Sequence, residues 1–593
     1  MVAALALLVA SCSQSGAATD VVLTPVTGGT LTVGLDQSPT GCNPDAGTQT
    51  DSASRTVLEA VLPSTFVVTA SGASTGNQSL VDQAELVSTS PQTVVYTIDS
   101  HAEWSDGVPI TAADFRYAWE QQRGLDPATG LPVPADASTL GYRDIKSVTP
   151  ANHGKTVTVV FKQPYAQWQM LFDPLMPAHV MQRVGWNPTC TVLRPDVDLS
   201  GGPFEIRSAN ASRVVLVRNP HWWGPEPMLD KVVIRVATSA GQLAGWLRTG
   251  TAQVAAPTVP TPGFVDSVVA NPRVESDLDV TSTFLQLEFA TQGTVTSSVE
   301  VRQAVAHAVD RQSVVSQVTG WLDGNVVPSQ SHLYTQNQSA YPSAPGAQVA
   351  LNDFLASNGS GSPTTTTTTS PAPGSGAPFP TTADEAATTR DMLAAGYLLG
   401  PDGRWATITG APVVLRLVVD AGDSWTAETA PLLAGQLERA GFDVQISTQP
   451  TAASTGAILA SGAADLALLP FEATPYPTTA LAEYTDSLGL PGQDGSQNWA
   501  NLDDPTVESL LDQAEHQLNP VKAQPIYAQV DALLWTDMAA LPLFAEPGLV
   551  AWSVQTEGVT PSFHGPNLLT TVGTWQLRRP LDADATSTTD STP

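Results

Sequence analysis

The pattern of apolar and polar positions predicts that strands and helices alternate along most of the chain. Residues 30–35, 93–98 and 156–161 combine β-branched or aromatic side chains with the alternation typical of strands. Residues 297–300 (SSVE) have the spacing of a capping box and open a predicted amphipathic helix that ends before Gly320. Both periodicities recur through the sequence, which favours a mixed α and β architecture.

The clearest unit lies in the second half of the chain. Residues 413–419 (VVLRLVV) predict a buried strand, a helix closed by Gly441 follows, and residues 442–446 alternate like the next strand. A strand–helix–strand unit is typical of an α/β layer with parallel pairing. Asp504 and Pro505 then begin a further amphipathic helix, because proline is favourable at the first helical position. The predicted fold class is therefore α/β.

Composition restricts the classes of function. The 593 residues include 25 basic and 56 acidic side chains, a net charge of −31, and 42% hydrophobic residues. This length and apolar content predict two or more packed domains. Nucleic acid and anionic lipid require clustered positive charge, so neither is expected as the main partner. After the first dozen residues no apolar run approaches the ~18 residues of a transmembrane helix.

The N-terminus indicates export. Residues 2–10 (VAALALLVA) are apolar but too short to span a bilayer, as in a signal peptide. Residues 9–12 (VASC) resemble the bacterial lipobox, which predicts lipidation of Cys12 and attachment to the extracytoplasmic face of the membrane. Residues 1–12 are then signal peptide and lipobox, and residues 13–28 a flexible tether. The alternative is a random apolar start with a chance cysteine.

Two further cysteines, Cys42 and Cys190, remain after Cys12 is assigned to lipid. An exported chain is exposed to oxidising conditions, and both residues lie in loop-like Gly/Pro/Asn-rich segments. The hypothesis is a disulfide between them, with two free thiols as the alternative.

Two segments are too polar to form a packed core. Residues 356–384 are rich in Gly, Ser, Thr and Pro and are predicted to be a disordered insert. Residues 581–593 are predicted to form a similar disordered tail.

The sequence gives no case for an enzyme. Residues 72–76 (GASTG) match a nucleophile-elbow pattern, but the polar residues that follow indicate a loop rather than a strained strand–helix turn. The eight histidines are scattered, and none falls in the spacing of a known metal motif. We expect no metal, no cofactor and no catalytic residue.

Five segments, in this order, carry a resemblance to a known family. They are residues 96–117 with WSDGVPITAADF, 200–206 (SGGPFEI), 216–223 (LVRNPHWW), 300–314 (EVRQAVAHAVDRQSV) and 501–511 (NLDDPTVESLL). Together they resemble the family 5 extracellular solute-binding proteins of ABC importers, the oligopeptide and dipeptide receptors. The resemblance extends over most of the chain.

The resemblance implies the two-lobed periplasmic-binding-protein fold (type II, Venus-flytrap) with an extra subdomain on lobe I. Lobe I is expected to comprise residues 29–285 and 490–580, with the subdomain at about 53–190. Lobe II is expected to comprise residues 286–489 and to carry the insert. A solute would bind between the lobes, and their closure would exclude water.

The ligand-contacting positions implied by the resemblance lie on three segments: Ser38, Pro39 and Thr40; Ala256; and Phe471, Glu472, Thr474 and Tyr476. In the peptide receptors an aspartate at the place of Thr474 binds the peptide α-ammonium. A neutral hydroxyl cannot form that charge-assisted hydrogen bond. Glu472 is two residues away and is the candidate replacement.

The segments 61–66, 163–168 and 177–179, with the low-complexity insert, resemble an actinobacterial subgroup that includes a mycobacterial lipoprotein tied to phosphatidylinositol-mannoside assembly. Two functions therefore stay open. One is a monomeric receptor that delivers a peptide or similar solute to an ABC permease and its ATPase. The other is an envelope protein that binds glycolipid or regulates its assembly without import.

Overall fold

The structure is a computed structural model that describes residues 23–45, 52–69, 73–125, 139–188, 190–322, 326–338, 340–341, 379–473, 477, 479–485, 497–565 and 568–580. Within these ranges no helix has both the length and the apolar composition that crossing a membrane requires. Cys12, residues 356–378 of the predicted insert and the tail 581–593 lie outside the described residues. The prediction of disorder was wrong for the last six residues of the insert, because Phe379 stacks on Trp535 and Asp384 caps the helix Glu385–Ala394.

The described strands are β1 (Leu23–Val26), β2 (Thr30–Leu35), β3 (Phe66–Val68), β4 (Ser74–Gly76), β5 (Val81–Thr89), β6 (Gln92–Ile98), β7 (Ile145–Ala151), β8 (Thr156–Phe161), β9 (Phe204–Asn210), β10 (Arg213–Arg218), β11 (Lys231–Val236), β12 (Val254–Ala256), β13 (Val274–Phe289), β14 (Leu398–Leu399), β15 (Trp405–Ala406), β16 (Val414–Asp420), β17 (Asp443–Gln449), β18 (Leu466–Glu472), β19 (Ala540–Ser553), β20 (Thr556–Glu557) and β21 (Gln576–Pro580). The described α-helices are α1 (Ser52–Leu58), α2 (Ala112–Gln122), α3 (Ala178–Val184), α4 (Ala240–Thr249), α5 (Pro262–Val269), α6 (Val299–Ala308), α7 (Arg311–Thr319), α8 (Glu385–Ala394), α9 (Ser424–Arg439), α10 (Ala452–Ala460), α11 (Thr479–Tyr484), α12 (Pro505–Glu515) and α13 (Pro520–Asp537).

Several predicted elements are confirmed. Strands β2 and β8 have the predicted bounds, and the predicted strand–helix–strand unit is β16, α9 and β17 with parallel pairing. Helix α12 begins at Pro505, and the Asp504 carboxylate caps it by accepting the Thr506 and Val507 amides. These elements depend on local patterns, which is why the sequence was sufficient to find them.

The predicted helix before Gly320 was wrong in two respects. Its cap is Ser298 rather than Ser297, since the Ser298 hydroxyl accepts the Val301 amide. The helix also ends at Ala308, and Asp310 caps a second helix, α7, by accepting the Ser313 amide at 2.8 Å. An aspartate whose side chain competes for backbone amides favours such a restart over a continuous helix.

One ten-stranded mixed sheet runs through the molecule, in the order β17-β16-β18-β13-β19-β12-β2-β11-β10-β9. A separate four-stranded antiparallel sheet, β5-β6-β8-β7, lies within the predicted subdomain. The centre of the large sheet is the antiparallel pair β13 and β19, with 16 and 14 residues respectively.

The pairing of β13 with β19 is interrupted near its middle. Val280 pairs with Pro547 and Phe284 pairs with Ala545, so residues 281–283 lie opposite the single residue Glu546. We call this interruption the hinge. An irregular register locally weakens the hydrogen-bonded ladder and concentrates bending at that point.

The hydrophobic core is divided at the hinge. One hydrophobic cluster contains buried side chains of β2, of β11 and of the subdomain. A second contains buried side chains of the chain segment that begins at Val280 in β13 and ends at Ala545 in β19. These two clusters define a first and a second lobe. Helices α12 and α13 pack in the second cluster, whereas the sequence expectation placed residues 490–580 in lobe I. The apolar face of α12 explains the difference, because it contacts α11 and α13.

A disulfide joins Cys42, in the loop after β2, to Cys190, which follows α3. The two residues are 148 positions apart in the chain, and their Cα atoms are 5.9 Å apart. The bond therefore connects the subdomain to the large sheet of the first lobe.

We expect Cys42→Ser, or Cys190→Ser, to lower the free energy of unfolding by about 2–5 kcal/mol, because the cross-link restricts a long loop of the unfolded chain. Urea unfolding of the variants and the oxidised parent would measure this, with Cys12→Ser as the control. Two reactive thiols in the unreduced parent, or unchanged midpoints, would contradict it.

Candidate functional site

The loops that follow the parallel strands of both lobes converge on the hinge. In the second lobe Glu472, at the end of β18, pairs with Thr283 beside the register interruption. In the first lobe β12 runs parallel to β2 and antiparallel to β19, so its C-terminal end also points toward the hinge. The edge at the carboxyl ends of parallel strands is where α/β proteins bind ligands. We call the space between these loops the cleft.

The predicted first-lobe positions share this edge. The Asp36 carboxylate accepts the Thr258 amide at 2.9 Å and the Thr258 hydroxyl at 2.8 Å, which ties the loop after β2 to the loop after β12. Ser38, Pro39 and Thr40 are thereby placed near Ala256. The Ser38 hydroxyl donates to the Ala211 carbonyl at 2.7 Å, and Pro39 is buried whereas Thr40 is exposed.

The predicted second-lobe positions separate into two groups. Phe471 is 2% exposed and packs against Phe284 and Tyr484, with ring centroids 4.9 and 6.2 Å away. It is therefore a core residue of the second lobe rather than a cleft residue. Glu472 follows it on the opposite face of the strand and is exposed. Thr474 and Tyr476 lie outside the described residues.

A carboxyl group that the sequence analysis did not single out lies at the hinge itself. The side chain of Glu546 forms no hydrogen bond or ion pair within the described part of the chain, although it is only partly accessible to solvent. Burial, together with the nearby negative charge of Asp423, raises the pKa of this carboxyl to about 8. In the sequence, Glu546 is the single charged residue of an otherwise apolar run (ALPLFAEPGLVAW), and this pattern could have identified it as a candidate site residue.

Asp423 reaches the same region from the second lobe. It caps α9 by accepting the Trp425 amide at 3.0 Å and the Thr426 amide at 3.4 Å. Burial raises the pKa of Asp423, and the Asp420 carboxylate, which ends β16, adds to the effect. Because Asp420 and Asp423 follow the predicted strand 413–419, an acidic strand end was visible in the sequence.

A third set of carboxyls lies in the first lobe. The hinge residue Ser282 donates its amide to the Phe563 carbonyl, and farther along that loop the Leu569 amide donates to Glu59 at 2.9 Å. Burial raises the pKa of Glu59 well above its usual value, and the charge of Asp173 contributes. This loop therefore connects Glu59 to the hinge.

Asp45 and Asp173 extend this acidic set. The pKa of Asp45 is raised to about 7, mainly by burial. The positive charge of Arg55 opposes this rise, and the negative charge of Asp173 adds to it. Asp173 is accessible to solvent, yet the surrounding protein desolvates its carboxyl and raises its pKa. Asp45, Asp173 and Glu59 therefore form a group of interacting carboxyls within the first lobe, with Arg55 as the nearby cation.

Comparison with known proteins supports the resemblance. The family model for bacterial extracellular solute-binding proteins, family 5 Middle, matches residues 79–488. The oligopeptide-binding protein OppA of Mycobacterium tuberculosis is 25% identical over 504 residues, which cover 84% of this chain and 76% of OppA. The probable monoacyl phosphatidylinositol tetramannoside-binding protein LpqW of the same species is 26% identical over 421 residues, 70% of this chain and 63% of LpqW.

A solved structure gives the same result for the fold. The periplasmic EDTA-binding protein EppA superposes with a TM-score of 0.78 and 26% sequence identity, covering 93% of this chain and 97% of EppA. The predicted α/β fold with two lobes, as found in periplasmic binding proteins, is thereby confirmed.

The raised pKa of Glu546 predicts a pH dependence of stability. The unfolded chain releases this proton near pH 4.3, whereas the folded protein holds it to about pH 8, so folding becomes less favourable as the pH rises through that window. Glu546→Gln should therefore raise the thermal midpoint more at pH 8 than at pH 5. The exposed Glu472→Gln is the matched control, with a similar change at both pH values. An equal effect of Glu546→Gln at both would contradict the assignment.

Proposed function

The chain belongs to family 5 of the bacterial extracellular solute-binding proteins, and from this we propose that it captures a peptide or peptide-like solute between its lobes and presents it to an ABC permease. Proteins of this family act outside the cytoplasm and work with a permease and an ATPase. Attachment through a lipid on Cys12 and a monomeric state are parts of the same proposal.

The carboxyl groups at the hinge edge of the cleft are the observation that supports this proposal most strongly. Glu472 and Asp423 of the second lobe lie near Glu546 of the hinge, so a solute with an ammonium group would compensate the negative charge that they place there. A charge-assisted hydrogen bond between ammonium and carboxylate contributes about 1.5–3 kcal/mol. Glu472, Asp423 and Glu546 are available for the role that Thr474 cannot perform.

In this mechanism the solute shifts the protein toward its closed form. A solute held from both sides binds the closed form more tightly than the open form and so increases its population. The hinge is where the strands bend, and the loops that carry the acidic groups move with their lobes. The permease would then recognise the closed protein.

A second function is favoured by the likeness to LpqW and by the segments shared with its subgroup. In that case the cleft would bind an envelope glycolipid, or the protein would act in its assembly, without import. Carboxylates also accept hydrogen bonds from sugar hydroxyls, so the carboxyl groups at the hinge edge suit this ligand as well.

Native mass spectrometry of the soluble protein without its first nineteen residues, purified without added ligand, distinguishes these functions. We expect a series of short peptides to be released on denaturation. One glycolipid-sized mass, or an empty protein that does not bind peptide mixtures, would instead support the envelope function.

For a bound peptide we expect Glu546→Gln or Glu472→Gln to weaken binding about tenfold to a hundredfold, the loss of one charge-assisted hydrogen bond. Acetylation of the peptide amino terminus should weaken binding to the parent by a similar factor and cause little further loss in the responsible variant. Calorimetric titration measures both effects.

Glu85→Gln, which removes an exposed carboxylate from the subdomain strand β5, is the control for net charge. If Glu546→Gln and Glu472→Gln both bind the peptide as tightly as the parent does, these carboxylates do not bind its ammonium group. A peptide that binds equally well after acetylation would lead to the same conclusion.

A further inference from the structure

The second lobe contains a buried pair of carboxyl groups that the proposed capture of a solute does not use. Glu288 lies on β13, beyond the hinge, and is 2% exposed. Glu483 lies on α11 and is 5% exposed. The two residues are far apart in the chain, so their carboxyls come together only where the side chains of α11 meet those of β13.

One side-chain amide joins the two carboxyls. Gln286 Nε2 donates to Glu483 Oε1 at 2.8 Å and to Glu288 Oε1 at 3.2 Å, so both oxygens lie within hydrogen-bonding distance of the same nitrogen. The Tyr484 hydroxyl donates to Gln286 Oε1 at 3.3 Å and thereby fixes the orientation of this amide. The carboxyls also form a hydrogen bond with each other. Because ionised carboxylates only accept hydrogen bonds, that bond requires a proton on one of the two groups.

No positive charge compensates this pair within the described part of the chain. No cation contributes to the electrostatics of either carboxyl. The strands that flank β13 place Ala467 and Ala540 opposite Glu288. His332, whose ring approaches the α11 side of the network, is paired with Asp531 at 2.8 Å.

The remaining buried cations of the second lobe bind other groups. Arg302 and Arg311 donate to main-chain carbonyls, and His307 is paired with Asp391 at 2.9 Å. Two negative charges this close together in a buried site would repel each other strongly without a counter-charge. The folded protein therefore keeps a proton on the pair.

This proton is linked to the position of α11. Burial raises the pKa values of both carboxyls, and the negative charge of Glu288 contributes to the rise for Glu483. Once separated and exposed to water, each carboxyl would release its proton near pH 4.3, about the usual value for glutamate. The proton held by the pair therefore favours the packed position of α11 at low pH. This stabilisation is lost as the pH rises through the raised pKa values.

Helix α11 in turn supports the end of β18 at the cleft. Tyr484 stacks on Phe471, with ring centroids 6.2 Å apart, and Phe471 directly precedes Glu472 at the end of the strand. Displacement of Tyr484 would remove this packing from Phe471. The strand end that carries Glu472 would then be held less firmly.

We propose that Glu288 and Glu483 form a pH-sensitive switch. With their shared proton they hold α11 against β13, and the loss of that proton to solvent releases α11 and loosens the end of β18 at the cleft. The switch does not depend on the identity of the solute or on whether the protein serves import. No local pattern indicated it, because its two acids come from distant segments of the chain.

Hydrogen–deuterium exchange of the ligand-free protein, corrected for the intrinsic exchange rate at each pH between about pH 5 and about pH 9, tests the switch. We expect the protection of the peptide that contains α11 to fall by up to about tenfold per pH unit once the shared proton is lost, the factor that one proton imposes. The peptide that contains α9 of the same lobe should keep its protection.

Glu483→Gln replaces the protonated carboxyl with a neutral amide that can donate to Glu288 and accept from Gln286. We expect this variant to abolish the pH dependence of the protection of α11. Glu288→Gln makes the same replacement on β13 and should have the same effect, which keeps the test valid if one variant fails to fold. Glu508→Gln, which changes an exposed acid on the neighbouring helix α12, is the matched control and should behave like the parent.

Protection of α11 that is independent of pH in the parent would overturn the switch. An undiminished loss of protection in both glutamine variants would overturn it as well. If Glu546→Gln abolishes the pH dependence instead, the responsible proton lies at the hinge and the proposal is wrong.

Discussion

The interrupted pairing of β13 with β19 is the constraint on which the rest of the structure depends. These two strands are the central members of the large sheet, and they run from one hydrophobic cluster to the other. A continuous ladder would stiffen the sheet, whereas the irregular pairing of residues 281–283 with Glu546 makes this the point at which the sheet is expected to bend. The parallel strands on each side end at this point, so bending brings their loops together. The position of the cleft thus follows from the position of the hinge.

Electrostatics gives the cleft its chemical character. Glu472 and Asp423 of the second lobe lie near Glu546 of the hinge, and burial raises the pKa values of Asp423 and Glu546. Such an arrangement costs folding free energy unless a ligand compensates it, a compromise that binding sites commonly make. The net charge of −31 does not itself specify the cleft, since the same composition would suit an ordinary acidic surface.

The sequence was sufficient to predict features that depend on interactions between residues close together in the chain. Strand β2, the unit from β16 to β17 and the cap at Asp504 all follow from periodicity and hydrogen bonding within a few residues. Features that depend on tertiary packing could not be predicted from such local patterns. Phe471 is apolar and adjacent to a binding loop, but only its contacts with Phe284 and Tyr484 show that it faces the core.

Long-range proximity limited the prediction of the candidate sites in the same manner. Glu546 becomes a cleft residue because β19 pairs with a strand more than 250 residues earlier, a separation that no local pattern records.

The disulfide between Cys42 and Cys190 affects how this molecule can move. It anchors the end of the subdomain covalently to the loop after β2, so the subdomain and the large sheet of the first lobe cannot drift apart independently. The subdomain and β2 already share one hydrophobic cluster, so the bond joins covalently two parts that packing also holds together. The first lobe with its subdomain is therefore expected to move as one body, and the interrupted pairing of β13 with β19 is the place where that body would shift against the second lobe.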